Sequence, residues 1–172
     1  LLINAQTQKM VPEMIKNTVT NIRIILCKNL KYIEMPCIGN GFSEYFSSAS
    51  QELKIKLIGS KPLIANYFSQ RNNIVELEIP TTITEIGSSA LSGCDNLLKL
   101  TMPNYKSIKY YGDLNNLEEL VITNSSQTFL EEDFIIDFPN LRKVTLCDNI
   151  TKVGKKVISR CPNLLFFELP DN

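Results

Sequence analysis

The amino-acid sequence predicts an α/β-type repeat solenoid that is mostly β, in which about seven coils stack side by side. Two observations support this: a four-residue turn recurs every 20 to 24 residues, and an alternating apolar segment follows each turn. Periods in the twenties are typical of solenoids, because one coil cannot bury its apolar face alone and must stack on a neighbour. The turns begin at residues 27, 50, 71, 94, 114, 138 and 161.

The recurring turn reads Cys-x-Asn-Leu in its most faithful copies, at residues 27–30, 94–97 and 161–164. The other copies keep a polar residue before an aliphatic one, and residues 50–53 are the most degenerate. Asparagine suits a turn, because its side chain can bond nearby backbone and because it tolerates the left-handed conformation. Each copy therefore predicts one corner of the solenoid.

A strand is predicted after every turn. The segments are LKYIEMP (30–36), LKIKLIG (53–59), IVELEIP (74–80), LLKLTMP (97–103), LEELVIT (117–123), LRKVTLC (141–147) and LLFFELP (164–170). Apolar and polar residues alternate in each, although 53–59 fits only after a shift of one residue. Alternation with a period of two is typical of a half-buried strand, and the proline that often follows cannot donate to a ladder. These strands predict one parallel sheet along the solenoid.

The remainder of each coil contributes further apolar residues. Segments 18–22, 82–87 and 149–154 predict a second short strand, and a half-helical stretch is expected after it at 88–94 and 155–161. An inward apolar column lies three positions before each turn. It holds Ile24, Phe68, Leu91, Tyr111, Ile135 and Ile158.

Composition argues against several classes of function. The 18 basic and 18 acidic residues cancel, so an electrostatic case for binding nucleic acid is missing. No apolar stretch reaches the roughly 18 residues of a membrane helix, so we expect no membrane insertion in this segment. The chain has no histidine, the commonest general base and zinc ligand. We therefore expect no enzymatic activity, no metal and no cofactor.

The five cysteines are expected to be free thiols. Cys27, Cys94 and Cys161 occupy one position of the turn, and each is three coils from the next. Three strand spacings are about 14 Å, whereas a disulfide needs Cα atoms within about 7 Å. Other coils hold Leu114 and Phe138 at this position, so it is an apolar slot in which cysteine serves as a small hydrophobic residue.

Outward residues of the predicted sheet alternate in charge from coil to coil. The first outward position holds Lys54, Glu76, Lys99, Glu119 and Lys143, and the second begins with Glu34, Lys56 and Glu78. Parallel strands lie about 4.8 Å apart, so opposite charges become direct neighbours. A site for a charged ligand is one interpretation. We favour a self-neutralising ladder, because alternation cancels the field that such a ligand needs.

Aromatic residues at the ends of this face are better candidates for binding, because aromatic anchors dominate interface energies. The candidates on the sheet are Tyr32, Glu34, Lys99, Phe166 and Glu168. A second candidate patch is the aromatic and basic segment 105–113, with Tyr105 and Tyr110. The favoured alternative for that segment is that Tyr111 fills the core and the rest is solvated surface.

The repeat resembles that of BspA-type leucine-rich repeat proteins, most closely in ITEIGSSALSGCDNLLKLTMP (83–103) and in 149–170. The resemblance covers about residues 18–172 and is weakest at 37–62 and 104–114. We expect a single domain over 1–172, with an N-terminal cap or partial coil at 1–17, and expect it to be a fragment of a longer chain.

The resemblance implies a curved, right-handed leucine-rich repeat with its parallel sheet on the concave face. It also implies non-catalytic binding of a protein ligand, as in cell-surface adhesion or the binding of host proteins, and a cell-surface or secreted location. A cytoplasmic location stays open, as does an intracellular scaffold or spacer array without its own ligand. The apolar residues of the last coil predict end-to-end self-association.

Overall fold

The computed structural model describes residues 9–10, 30–36, 52–103, 108–123 and 126–168, and these form a mostly β solenoid of stacked coils. The strands are β1 (Lys9–Met10), β2 (Tyr32–Pro36), β3 (Leu53–Ile58), β4 (Ile74–Glu78), β5 (Lys99–Pro103), β6 (Glu119–Thr123), β7 (Phe129–Leu130), β8 (Ile135–Ile136), β9 (Lys143–Thr145), β10 (Lys152–Val153), β11 (Ile158–Ser159) and β12 (Phe166–Glu168). A 3-10 helix spans Ile108–Tyr110.

One eight-stranded sheet runs along the solenoid in the order β1-β2-β3-β4-β5-β6-β9-β12. All of its pairings are parallel, because every coil returns the chain to the same side before the next strand begins. Seven of the strands are those predicted from the alternation. The eighth, β1, lies within the segment 1–17 for which a cap or partial coil was expected.

The predicted register is confirmed across the sheet. Lys54, Glu76, Lys99, Glu119 and Lys143 follow one another as Cα partners on consecutive strands. The one-residue shift required by segment 53–59 corresponds to an irregularity between Leu53 and Lys54 in the pairing of β3 with β4. After that bulge, the inward and outward residues of β3 again lie opposite the inward and outward residues of β4.

The core is built from the inward columns. Phe68, Leu91, Tyr111 and Ile135 are fully buried, and Ile158 in the last coil is half-buried. Ile24, the remaining residue predicted for this column, lies outside the described residues. Cys94, Leu114 and Phe138 fill the apolar slot of the turn and are also buried, as predicted.

The second short strand is confirmed at 149–154, where β10 pairs with β7, whereas segment 82–87 makes a single bridge between Ile86 and Leu63. The prediction of half-helical stretches at 88–94 and 155–161 is wrong: the first consists of turns, and the second contains β11. Backbone hydrogen bonds between coils replace helical ones. The amide of Leu91, for example, donates to the carbonyl of Tyr111 at 2.8 Å.

The turn asparagines bond across coils rather than within their own turn. Their Nδ2 atoms donate to the carbonyl oxygen one residue before the preceding coil's asparagine: Asn96 to Asn72 (2.7 Å), Asn116 to Asp95 (2.7 Å), Asn140 to Asn115 (3.0 Å) and Asn163 to Pro139 (2.7 Å). The left-handed backbone conformation expected of these asparagines is adopted by other residues instead. It occurs just before the turn, at Gln70, Gly93, Asp137 and Arg160. The asparagine column is thus a ladder that holds successive corners together.

Two glycines permit close stacking of neighbouring coils. A Cβ atom on Gly87 would lie 2.3 Å from the backbone nitrogen of Ala65, and one on Gly154 would lie 2.8 Å from that of Glu132. Both glycines follow the second short strand, and each amide donates to a carbonyl of the preceding coil. A side chain at either position would push two backbones apart, because the atoms it meets belong to the main chain.

We predict that Leu100→Ala destabilises the fold far more than Lys99→Ala does. Leu100 is fully buried, whereas Lys99 is an outward, half-exposed neighbour. A buried leucine truncation costs about 2–5 kcal/mol, and loss of an exposed ion pair costs at most about 1 kcal/mol. Chemical denaturation of both variants measures the difference, and equal losses would contradict this assignment of the two faces.

Candidate functional site

The outward face of the eight-stranded sheet carries a ladder of ion pairs. In its first column, Lys54 Nζ lies 2.5 Å from Glu76 Oε1, and Lys99 Nζ lies 2.8 Å from Glu119 Oε2. In the second column, Lys56 Nζ lies between Glu34 Oε1 at 4.0 Å and Glu78 Oε1 at 3.9 Å. These pairs confirm the charge alternation predicted from the sequence. Each is worth only about 0–1 kcal/mol, because the side chains are partly solvated.

Lys143 departs from the first column. Its register partner on β12 is Phe166, and its ammonium instead reaches across to Glu168 Oε1 at 3.1 Å. Glu168 also accepts a hydrogen bond of 2.9 Å from the hydroxyl of Thr145. This hydrogen bond and the contact with Lys143 lower the pKa of the Glu168 carboxyl below its ordinary value. The ladder therefore ends on the last strand in a pair that crosses between the columns.

Among the described residues, the depression on the charged half of the face is smaller than the sites that bind small ligands. A depression of about 100 Å³ lies there, and its lining includes Tyr32, Lys54, Glu76 and Thr101. Small-molecule sites usually measure roughly 300–1,000 Å³. The paired charges also cancel one another, so this half is better suited to maintaining register than to capturing a charged ligand.

Tyr32 is joined to the ladder rather than standing apart from it. Its hydroxyl donates to Glu34 Oε2 at 3.5 Å, and the ammonium of Lys9 lies 5.1 Å from the centre of its ring. Burial raises the pKa of Tyr32, and the charges of Glu34 and Glu78 raise it further. The phenol is thus held neutral, with one face of the ring covered by a cation.

Phe166 is more accessible than Tyr32. It is 60% exposed, and the adjacent Leu165 is 70% exposed. Beside Phe166, the second column holds the uncharged residues Thr101, Val121 and Thr145 on β5, β6 and β9 and ends at Glu168 on β12, whereas Phe166 itself follows Lys143 in the first column. This half of the face combines an exposed aromatic ring with a strip of three uncharged residues, and the charged residues Lys99, Glu119 and Lys143 border that strip in the first column.

The sequence-predicted candidates do not form one cluster. Tyr32 and Glu34 lie on β2, Lys99 on β5, and Phe166 and Glu168 on β12. Six strand spacings separate the two ends, or about 29 Å. Tyr110 lies off the sheet on the 3-10 helix, where its ring meets Tyr111 edge-on at 5.3 Å. Tyr105 lies outside the described residues.

A pair of neighbouring apolar residues beside the sheet, Val75 and Leu98, was missed by sequence reasoning. Val75, Leu98 and Leu165 each come directly after the aliphatic residue of the turn, and Leu98 is 42% exposed. Val75 and Leu98 border a depression of about 400 Å³ that also includes Glu118 and turn asparagines. Their shared position in the repeat was the available signal, because only the two alternating positions that follow had been assigned outward. Glu118 and Arg142 hold the same position in the two coils between Leu98 and Leu165.

The described cysteines are free thiols with raised pKa values, which makes them unreactive. Cys94 is buried, and its thiol donates to the carbonyl of Phe68 at 3.1 Å. Burial raises the pKa of Cys94 to about 12, and it also raises the pKa values of Cys147 and Cys161. A thiol with a raised pKa is a poor nucleophile at neutral pH. Cys27 and Cys37 lie outside the described residues.

Among the described residues, no group of three or more His, Cys, Asp or Glu side chains is arranged to hold a metal ion. In the same part of the chain, no helix has the length and apolar character needed to cross a membrane.

Comparison with known proteins identifies the repeat. The sequence profile of the BspA type leucine rich repeat region matches residues 61–172 in six copies. A solved leucine-rich repeat protein from Bacteroides ovatus has a similar fold, with a TM-score of 0.50 and 19% sequence identity. The similarity covers 86% of this chain, which spans only 39% of that protein. No curated protein has significant sequence similarity to the chain.

We predict that thiol titration under denaturing, non-reducing conditions counts five thiols, and that Cys94 is the slowest of the described cysteines to be alkylated in the native protein. Burial raises the pKa of Cys94 to about 12, and at pH 8 this leaves roughly 0.01% of the thiol as thiolate. Mass spectrometry after timed alkylation provides the measurement, with half-buried Cys161 as the internal comparison. A count of three or one would reveal a disulfide.

We predict that Glu168 titrates below the ordinary range of glutamate and that Thr145→Val raises its pKa. Because the folded pKa is the lower one, the stabilisation is present above the unfolded pKa and is lost as the pH falls through the folded pKa. An NMR titration of the side-chain carboxyl provides the test. Thr101→Val is the matched control in the same column, and an equal effect of both substitutions would contradict the assigned hydrogen bond.

Proposed function

We propose, since the chain belongs to the BspA-type leucine-rich repeat family, that it is a protein-recognition module which acts without catalysis. The repeat of this family is a non-catalytic interaction fold. A solenoid of this kind presents an extended surface rather than an enclosed pocket, so a protein is the class of partner that can use it.

The observation that carries this proposal is the uncharged strip of Thr101, Val121 and Thr145 in the second column, with the exposed ring of Phe166 beside it on the last strand. An exposed aromatic ring beside a strip of threonine and valine can be desolvated with little electrostatic cost. The ion-paired half would lose solvation on both partners of every pair, and such pairs often return little net affinity. We therefore assign the central contact to Val121 and Phe166 and the rim to the charged residues around them, including Lys99 and Glu168.

The remaining sequence candidates have more peripheral roles in this proposal. Tyr32 and Glu34 lie at the far end of the sheet and would extend the contact for a partner that spans about 29 Å. Tyr105 and Tyr110 belong to a separate patch off the sheet. We further propose that the partner is met at a cell surface, in adhesion or in the binding of a host protein, which rests on the resemblance to surface-associated members of the family.

A spacer or intracellular scaffold is the second candidate function, and the ion-pair ladder favours it. Five lysine–glutamate ion pairs on the sheet neutralise one another's charges, so much of this face needs no partner. In that case the coils would only separate other parts of a longer protein, and substitutions on the sheet face would leave its interactions unchanged.

We predict that the tagged chain captures a protein from cell-surface or extracellular-matrix extracts and that Val121→Lys and Phe166→Ala each weaken binding by about tenfold or more, as expected for central anchors. Partners identified by mass spectrometry are then titrated by interferometry. Phe129→Ala is the matched control, because Phe129 is an aromatic residue that is 38% exposed but lies off the eight-stranded sheet.

Two outcomes would count against this function. Capture that is insensitive to both sheet variants would favour the spacer. Partners found only in intracellular extracts would contradict the surface location, which protease treatment of intact source cells also tests.

A further inference from the structure

The depression beside the turns, which we call the turn groove, lies next to the sheet face and spans several coils. Val75 and Leu98 form its apolar floor, and its volume is about 400 Å³. Sites that bind ligands usually measure roughly 300–1,000 Å³. The rest of its lining consists of carboxylates and amides, without a basic residue: Glu52, Asn96, Asn116, Glu118 and Asn140.

Backbone hydrogen bonds hold the floor and one carboxylate in a single line. The amide of Leu98 donates to the carbonyl of Val75 at 2.9 Å, and the amide of Glu118 donates to the carbonyl of Leu98 at 2.8 Å. Val75, Leu98 and Glu118 therefore follow one another at intervals of one coil. Glu52 belongs to the coil before that of Val75, so the coils that carry the two carboxylates are roughly 14 Å apart, or three strand spacings.

The two carboxylates are available to a positively charged partner. Glu118 is exposed and has no ion-pair partner among the described residues. Glu52 lies 3.6 Å from Lys31 Nζ, but the two side chains are 73% and 64% exposed, and a pair so well solvated adds little stability and can exchange its partner. Arg142 holds the position of Glu118 one coil further along, so the acidic stretch ends there.

An extended peptide laid along the coils would match this pattern of charge and apolar surface. Its residues advance about 3.4 Å each, and every second side chain points to the same side. Four residue steps cover roughly 14 Å, which places the first, third and fifth side chains over Glu52, the apolar floor and Glu118. Opposite charge favours basic side chains at the two ends, and burial of apolar surface favours an aliphatic one between them.

The turn asparagines supply acceptors for the main chain of such a peptide. The Nδ2 atoms of Asn96 and Asn140 donate to the preceding coil. Their Oδ1 atoms accept no hydrogen bond from the described residues, although both side chains line the turn groove. An amide N–H of a bound peptide can therefore be satisfied there when it leaves water.

We propose that the turn groove binds an extended segment of a partner protein in which basic residues at the first and fifth positions flank an aliphatic residue at the third. The inference rests on the proposed role in protein recognition and names the chemistry of a segment that is recognised. It uses a surface separate from Phe166 and the uncharged strip, so the two contacts can be tested apart.

The test is titration of the 172-residue chain with the acetylated peptide Ser-Arg-Thr-Leu-Thr-Arg-Ser, followed by calorimetry and by NMR chemical shifts. We expect saturable binding that moves the signals of Leu98 and Glu118 and that weakens as salt screens the charges. Glu118→Gln and Leu98→Ser should each weaken binding by about fivefold or more, because the first removes a charge and the second removes apolar contact.

Two matched variants control for the loss of an exposed side chain as such. Glu131→Gln and Ile64→Ser change exposed residues of the same kinds outside the turn groove, and both should bind the peptide as the wild type does. Circular dichroism verifies that every variant folds.

Charge reversal tests the assigned position of the peptide. The wild type should prefer the peptide with two arginines to Ser-Arg-Thr-Leu-Thr-Glu-Ser, in which glutamate replaces one of them. Glu118→Lys should reverse this order, because the new ammonium repels an arginine and attracts a carboxylate.

Three results would overturn the proposal: no binding of the peptide, equal binding of a scrambled peptide with adjacent arginines, or an affinity that neither substitution of Glu118 changes. Phe166→Ala should leave peptide binding intact. If Phe166→Ala abolishes binding while the groove variants do not, the peptide occupies the sheet face, and the groove proposal fails although protein recognition stands. Capture of a partner that depends on Phe166, without any binding of the peptide, would have the same meaning.

Discussion

Hydrogen bonding between successive coils is the interaction on which the rest of this structure depends. It operates at every side of the coil, through the eight-stranded sheet, the short ladders and the turns. In the turns, asparagine side chains add bonds of 2.7 to 3.0 Å to the preceding coil. A coil by itself would satisfy few of these groups and would leave its apolar residues in water, so stability comes from stacking and each coil depends on its neighbours.

Stacking at a constant spacing determines which side chains each position accepts. Inward positions must fill the space between coils, which explains why one buried column holds phenylalanine, leucine and tyrosine in successive coils. Where backbones approach most closely, as at Gly87, only glycine fits without displacing the neighbouring coil. Outward positions lie directly opposite their counterparts, so like charges would repel and a slip by one coil would bring lysine opposite lysine. The ion-pair ladder thus serves the register of the sheet.

The same spacing limits what the protein can bind. Outward side chains about 4.8 Å apart make a long, shallow surface, and the charged half of that surface is already occupied by its own ion pairs. What remains for a partner is the uncharged strip of the second column and the exposed ring of Phe166 beside it on the last strand.

The sequence by itself determined the repeat, the seven strands that follow the turns and the division of their residues into inward and outward columns. It did so because strand alternation has a period of two and each coil begins with a recognisable turn, so each residue's neighbours could be counted from the turns. The pairing of Lys54 with Glu76 and the burial of Leu100 followed from that count.

Only the tertiary structure decided how groups on different coils satisfy one another. The turn asparagines donate hydrogen bonds to the preceding coil. Segments 88–94 and 155–161 form backbone hydrogen bonds between coils instead of helical ones. Lys143 pairs with Glu168 because its register partner on β12 is Phe166, which carries no charge. The stacking of Lys9 on Tyr32 also belongs here, since β1 does not repeat the turn pattern. Each of these contacts joins residues about twenty positions apart, and their distances are set by how the coils stack rather than by local preference.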